Sequence, residues 1–366
     1  MWMGSRYYFY LILLNGFVNV LLFVPGILID KRYDGALMAI IVAIPIGVTL
    51  IYLFVKLISH FPGEGLPEIL DRVLPKKVTA MILIYLATAW FLAGAVTLLA
   101  FVMITNRYID PDVDEKIIML VFVLVVCYVM RMPSSSILYG LEILLAINLP
   151  FVAFILLKAV LNNQVHWDSI IEVGTHLFKM PSYELVATAT FIFSGYLNLV
   201  IFHRVFGEGF APKYLSIITL MGSMTLLSSF FVPIGFHGTM GVDDYTIPWV
   251  ATAGAMRLEF FIVERVLYLF LLVYVMVALV STMVHWNVAL ELIKSTLVLT
   301  NKDRHLKLWR WGIIGGFAAI MLAMEMVIGE PQVYGLARLF LNSRFATEFL
   351  IVGLLIYAVR RKKRHE

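Results

Sequence analysis

The sequence predicts an all-α polytopic membrane protein with about ten transmembrane helices, built as a 5+5 inverted repeat with helices 1 and 6 broken. Three observations predict it: apolar residues gathered into span-length runs, a one-sided placement of Lys and Arg, and polar-glycine interruptions at matching places in two halves of the chain.

Hydrophobic residues make up 61% of the 366 and charged residues 14%, against roughly half and a quarter in ordinary soluble domains. No water-soluble fold could bury that much apolar surface, so a bilayer is the solvent. The apolar residues fall into runs at 7–29, 35–58, 78–105, 116–130, 139–161, 183–202, 213–236, 257–284, 309–328 and 345–359. Most have the roughly 18 to 25 residues that cross a hydrocarbon core about 30 Å thick; the fourth and tenth are short. The first is too long for a signal-peptide core and has no small-residue cleavage pattern after it, so it reads as a retained span. The single cysteine, Cys127, lies inside an apolar run, which excludes a disulfide framework and a structural zinc site.

Helix-terminating residues punctuate the connections, as in Phe61-Pro62-Gly63-Glu64-Gly65, Asp110-Pro111-Asp112 and Gly329-Glu330-Pro331. Orientation follows from basic residues, which gather in cytoplasmic loops. With the N-terminus inside, that side collects Arg6, Arg72, Lys76, Lys77, Arg131, Arg204, the 294–310 group and the Arg360 to Arg364 tail, more than the other side holds. Both termini are therefore expected in the cytoplasm. The tail at 360–366, beside a terminal span, reads as an anchor on anionic lipid rather than a nucleic-acid patch. The whole chain is then one integral membrane domain, with 1–161 as the first five-helix repeat and 183–359 as the second.

No phosphate-binding glycine loop, H-E-x-x-H, G-x-S-x-G or paired-cysteine motif is present, so no catalytic activity, cofactor or metal is expected. The informative places are instead where helices are interrupted, because freed backbone at membrane depth is tolerated only inside protein or along a cavity. Asn15-Gly16 in span one and Ser194-Gly195 in span six each join a turn-favouring polar residue to Gly, which costs about 1 kcal/mol relative to Ala in a helix interior. In a division into five plus five, these are the first helices of each half and enter from opposite sides. That placement points to a midplane ligand site at Asn15, Gly16, Asn19, Ser194, Gly195 and Asn198. A half-helix N-terminus there would offer N–H groups to a carboxylate, and unwound carbonyls would take an ammonium. The alternative is that Gly16 and Gly195 only let helices approach closely.

Ionisable residues inside spans are costly and call for a role. Glu264-Arg265 falls within the eighth run, as a gating pair or a buried interhelical ion pair, with Glu142 and Glu325 as possible partners. Pro25, near the outer end of span one, reads as a kink or exit. Lys158 reads as snorkelling, His203 and His285 as interfacial, and Tyr85, Trp90 and Met103 as packing or belt residues.

The chain resembles the B subunits of bacterial spore germinant receptors, a branch of the amino-acid/polyamine/organocation transporter superfamily. The resemblance rests on length, on span count, and on Phe61 to Leu70, Phe193-Ser194-Gly195-Tyr196, and Arg257 followed by Phe261 to Phe270. Span one reads Asn15-Gly16-Phe17-Val18-Asn19 where that family has a Gly-rich break, and Leu197-Asn198 follows Gly195 where an acidic residue is common. The resemblance implies a LeuT/APC-like inverted-repeat fold whose first and sixth helices unwind around an amino-acid-like germinant. It also implies a complex with A and C (lipoprotein) subunits in the spore inner membrane. The expected function is then a germinant-sensing subunit; an amino-acid permease, or an ion or water channel on the same fold, are the alternatives.

Overall fold

The computed structural model describes residues 3–21, 23–109, 111–206, 214–257, 265–299 and 306–364. In chain order the helices are α1 (Met3–Leu21), α2 (Phe23–Asp30), α3 (Ala36–Ile58), α4 (Leu66–Val73), α5 (Lys76–Tyr108), α6 (Glu115–Val129), α7 (Ser134–Val160), α8 (Trp167–Gly174), α9 (Tyr183–Ala189), α10 (Leu199–Phe202), α11 (Leu215–Gly241), α12 (Pro248–Ala255), α13 (Val266–Leu299), α14 (Leu306–Val327) and α15 (Glu330–Lys362). A 3-10 segment, Thr190–Asn198, joins α9 to α10. Among the described residues, eight helices are long and apolar enough to cross a membrane. A ninth is reached if the α1–α2 pair, bent by 55°, counts as one span. The one predicted run left over, the fourth, is α6, whose 15 residues rise only about 22 Å. The chain is thus an all-α, multi-pass membrane protein.

Several spans differ from their predicted form. Span one is not interrupted at Asn15-Gly16: α1 runs unbroken through that pair, and the bend falls beyond Val20. The apolar side chains on both sides of Gly16 bury well, so tertiary packing overrides the local cost of Asn-Gly. Pro25 sits just past the bend in the first turn of α2, where its missing N–H costs nothing. Span six is not unwound at Ser194-Gly195 either. It tightens into a 3-10 helix of nine residues, far longer than the usual three or four. The eighth span begins at Val266, not Arg257. Arg257 and Arg265 face each other in a short antiparallel bridge ahead of the helix, and Arg265 is exposed. It is therefore not an ion buried in a span; Glu264 lies outside the described residues. Of the partners considered for that pair, Glu142 is taken by Arg6 at 3.1 Å and by the Tyr7 hydroxyl at 2.8 Å. The tenth span is far longer than its predicted core and brings Arg344, counted with the loop, into the buried interior beside Glu348.

Contacts place both ends of the chain at one end of the bundle. Tyr7 stacks on Phe206, His203 meets the Glu64 carbonyl at 2.8 Å, and Lys362 reaches the His60 carbonyl at 3.0 Å. At the opposite end Arg32 meets Asp243, Tyr33 meets Glu172, and Arg107 meets Glu330. A short helix follows the second span, α4 at the terminal end, and another follows the seventh, α12 at the opposite end. The core is organised on α5 and α13, which pack along much of their lengths, and on α1 crossing the 3-10 segment. α6 and α14 pair at the periphery, and little of α14 is buried.

Candidate ligand site

The crossing of α1 and span six is set by glycine. A Cβ at Gly195 would overlap the Leu11 carbonyl and stand 2.6 Å from the Ile12 Cα, so only Gly lets the backbones approach this closely. Gly16 has more room, with Ile192 Cγ1 3.9 Å from where its Cβ would lie. One turn beyond Leu11, Asn15 donates from Nδ2 to Ser194 Oγ at 3.1 Å. Ser194 donates to the Phe191 carbonyl at 2.7 Å, and Asn198 Nδ2 to the Gly195 carbonyl at 3.1 Å. Both bonds reach back three residues and so reinforce the 3-10 register. Trp90 of α5 closes the arrangement by donating to Asn198 Oδ1 at 2.7 Å.

These side chains surround a cavity where α1, α5, span six, α13 and α15 converge. Its polar lining is Asn15, Trp90, Ser194, Asn198, His285, Arg344 and Thr347; its apolar lining includes Phe191, Leu197 and Phe340. About 30 Å³ of it is open to the centre of a water molecule, room for a water or two. A second cavity of the same size shares Ala93, Phe191, His285 and Phe340 with it and extends along Val18, Phe23 and Val24 of the first span. Towards the end opposite the termini lies a wider mouth of about 290 Å³, lined by Asp30, Asp243, Tyr334 and Arg338 among others.

Of the predicted site residues, then, Asn15, Ser194 and Asn198 meet around one cavity, while Gly16 and Gly195 lie at the helix crossing beside it. Asn19, a turn further on, bonds Ser229 of α11 at 3.3 Å instead. Pro25 and Arg265 take no part in the lining.

Several residues in or behind the cavity wall were not predicted to serve it. Trp90 is 6% exposed and lines the cavity rather than a membrane belt. His285 lies well inside α13, not at an interface, because that helix continues to Leu299. Its Nδ1 is 2.7 Å from the Ser281 carbonyl oxygen; a carbonyl only accepts, so Nδ1 carries the hydrogen and Nε2 is left as an acceptor. Arg344 and Glu348, 5% and 1% exposed, form an ion pair one helical turn apart. Arg344 also donates to the Ala187 carbonyl and, at 3.0 Å, to Thr190 Oγ1. Glu348 accepts a 2.7 Å bond from the Tyr196 hydroxyl. The signal for this pair was an i,i+4 Arg–Glu spacing at the edge of an apolar run.

The two ends of the bundle are closed by polar networks. At the terminal end Gly65 N–H donates to Glu68 at 2.9 Å, and Arg204 ties Glu68 at 2.7 Å to Ser295 of α13 at 2.7 Å. The stretch 61–70 that carried the resemblance therefore clamps the end of span six. At the other end, outside the spans, Asp243 holds the Arg32 guanidinium above its ordinary pKa through two 2.7 Å bonds. Hydrogen bonds from Tyr33 at 2.6 Å and Thr239 at 3.0 Å hold Glu172 below the usual carboxylate range. Among the described residues, no group of three or more His, Cys, Asp and Glu is placed to hold a metal ion.

A many-span helical bundle with a buried polar cavity where its first and sixth spans cross defines a multi-pass membrane protein built around an internal polar cavity. Residues 5–327 match the family of spore germination proteins known as spore permeases, and the chain belongs to that family. No curated protein matches it significantly.

Proposed function

We propose that this chain is the transporter-like membrane subunit of a spore germinant receptor, in which a small amino-acid-like nutrient occupies the central cavity and signals germination through A and C subunits. The observation that carries this reading is the meeting of Asn15 from the first span with Ser194 and Asn198 from the sixth around one buried cavity. The short helices after spans two and seven, at opposite ends, support two repeats of opposite direction, 1–161 and 183–359. Sensing needs only that the ligand bind two conformations with different affinity, since a ligand shifts an equilibrium by its differential affinity and no more. The nine-residue 3-10 segment is a natural element to change, because recoiling it as α-helix would shorten it by several Å. The inner membrane of the spore, with both termini in the cytoplasm, is the matching location.

The second cavity and the polar mouth in line with the first favour one other reading, a permease that moves the same ligand. Ala93, which lines both cavities, provides the test. In spores carrying the A and C subunits, Ala93→Val should abolish the nutrient response at normal protein abundance. Saturable uptake by the chain alone in proteoliposomes would make it a permease; an unchanged nutrient response in Ala93→Val spores would remove the cavity from the function.

A further inference from the structure

We propose a second site, apart from the central cavity: the headgroup of an anionic phospholipid is held between Arg131 and Arg310, at the corner where α6 ends and α14 begins. The two arginines interleave. Arg310 reaches across from α14 and donates from Nη2 to the carbonyls of Met130 and Met132, at 2.7 Å each, on either side of Arg131 in the chain. These bonds cap the end of α6, where carbonyls lack partners inside the helix. Arg131 lies over the rings of Tyr128 and of Trp311, the residue after Arg310, at 5.4 and 5.0 Å from their centroids. Ring contacts use the flat faces of a guanidinium and leave its edge donors, the fork that fits a phosphate; Arg131 is exposed. Neither arginine pairs with a carboxylate among the described residues. Carbonyls and rings orient these cations without neutralising them. Two like charges at one corner repel, so an anion between them relieves both.

The surroundings make that anion a lipid. The corner lies at the terminal end of the bundle, because α7, which starts just after it, meets Tyr7 through Tyr139 and Arg6 through Glu142. It therefore sits at a membrane interface rather than at depth. Tyr128, Trp309 and Trp311 are exposed around it, and Trp and Tyr gather where hydrocarbon meets headgroups. Behind Tyr128, α6 turns one apolar face outward through Ile117, Leu120, Val121, Leu124 and Val125. The rise from Ile117 to Tyr128 is about 16 Å, close to half of a hydrocarbon core about 30 Å thick. One acyl chain can thus lie along α6 while its phosphate meets the arginines. Net charge selects among lipids. A choline headgroup brings its own cation beside two guanidinium groups, whereas a phosphatidylglycerol or cardiolipin headgroup brings none. A phosphate bridging Arg131 and Arg310 ties α6 to α14, little of which is buried.

The test is native mass spectrometry of the purified full chain with phosphatidylglycerol, cardiolipin or phosphatidylcholine added at equal concentration. Melting temperature is read in the same mixtures and with inorganic phosphate or glycerol 3-phosphate as soluble anions. At least one phosphatidylglycerol or cardiolipin should be retained per chain in preference to phosphatidylcholine. Arg131→Gln should lower that affinity about fivefold, the contribution of one basic side chain at an anionic membrane surface. Lys363→Gln, which removes an exposed charge of the tail, should leave it unchanged. The preference of the wild type for anionic lipid reads the same site without any variant. Equal retention of phosphatidylcholine overturns the proposal, as does an Arg131→Gln chain that binds like wild type or no worse than Lys363→Gln. Stabilisation by inorganic phosphate or glycerol 3-phosphate as large as that by lipid makes the corner a soluble-anion site and overturns the lipid. Retention of no lipid leaves the arginines to an acidic segment of a partner protein and overturns the proposal too.

Discussion

Gly195 of the sixth span lies directly against the Leu11 carbonyl of the first, with the Ile12 Cα 2.6 Å from where a Cβ would stand. The neighbour is backbone, which cannot rotate aside, so Gly195→Ala must separate the helices or fail. Overpacking of this kind costs about 1 to 3 kcal/mol. Gly16→Ala meets only the end of Ile192 at 3.9 Å and gains about 1 kcal/mol of helix propensity. We expect Gly195→Ala to lower folded yield and melting temperature and Gly16→Ala to leave both unchanged or higher. Equal behaviour of the two variants would show that the crossing is looser than described.

The Arg344–Glu348 pair gives a second expectation. Removing one member of a buried pair strands the other, typically at about 3 to 5 kcal/mol. Glu348→Ala should therefore destabilise the purified protein far more than Tyr196→Phe, which forfeits a single hydrogen bond to the same carboxylate. Thermal unfolding in detergent reads the difference. Near-wild-type melting of Glu348→Ala would mean that water reaches Arg344.

How much of this was legible in the sequence depends on the length scale of the signal. Each of the ten apolar runs holds a helix, the eighth from Val266 on, because a stretch of some twenty apolar residues leaves the chain few other options in lipid. Asn15, Ser194 and Asn198 were found as polar residues in matching spans. The exact break was not: Asn15-Gly16 is held helical by packing on both sides, and the bend separates Val20 from Phe23, in an apolar stretch of sequence with nothing polar to announce it. Arg344 and Glu348 were lost for a related reason. Arg338 and Arg344 made 338–344 look like loop while Glu348 fell inside the apolar run, and Arg344 and Glu348 neutralise each other only once the helix brings them one turn apart. Arg265 is the converse case, read as a buried ion because apolar residues flank it, yet exposed at the helix start.

Glu172 should make the docking of α8 sensitive to acid. Its pKa is depressed in the folded protein by hydrogen bonds from Tyr33 and Thr239, so the stabilisation is complete above the ordinary carboxylate value, about 4.5, and is lost as pH falls through the lower folded-state value. Glu172→Gln removes the titration. We expect wild type to melt higher than Glu172→Gln at neutral pH, with the gap closing as pH falls below about 4.5. A gap that stays constant with pH would assign the effect to shape rather than charge.

Topology supplies the last expectation. Contacts gather Arg6, His60, Phe206 and Lys362 at one end of the bundle and Arg32, Glu172, Asp243 and Glu330 at the other. By the charge rule, the basic tail and the excess of Lys and Arg are expected to place the first group in the cytoplasm. In a Cys127→Ala background, single cysteines at exposed Arg72 and Lys363 should then react only from the cytoplasmic face, and one at exposed Asp244 only from the outer face. Asn301→Cys, in the basic stretch of sequence before α14, should follow Lys363. Because Arg72 is separated from Lys363 by eight further spans, their labelling from opposite faces would require one of those helices not to cross, and α6, with only 15 residues, would be the first to suspect.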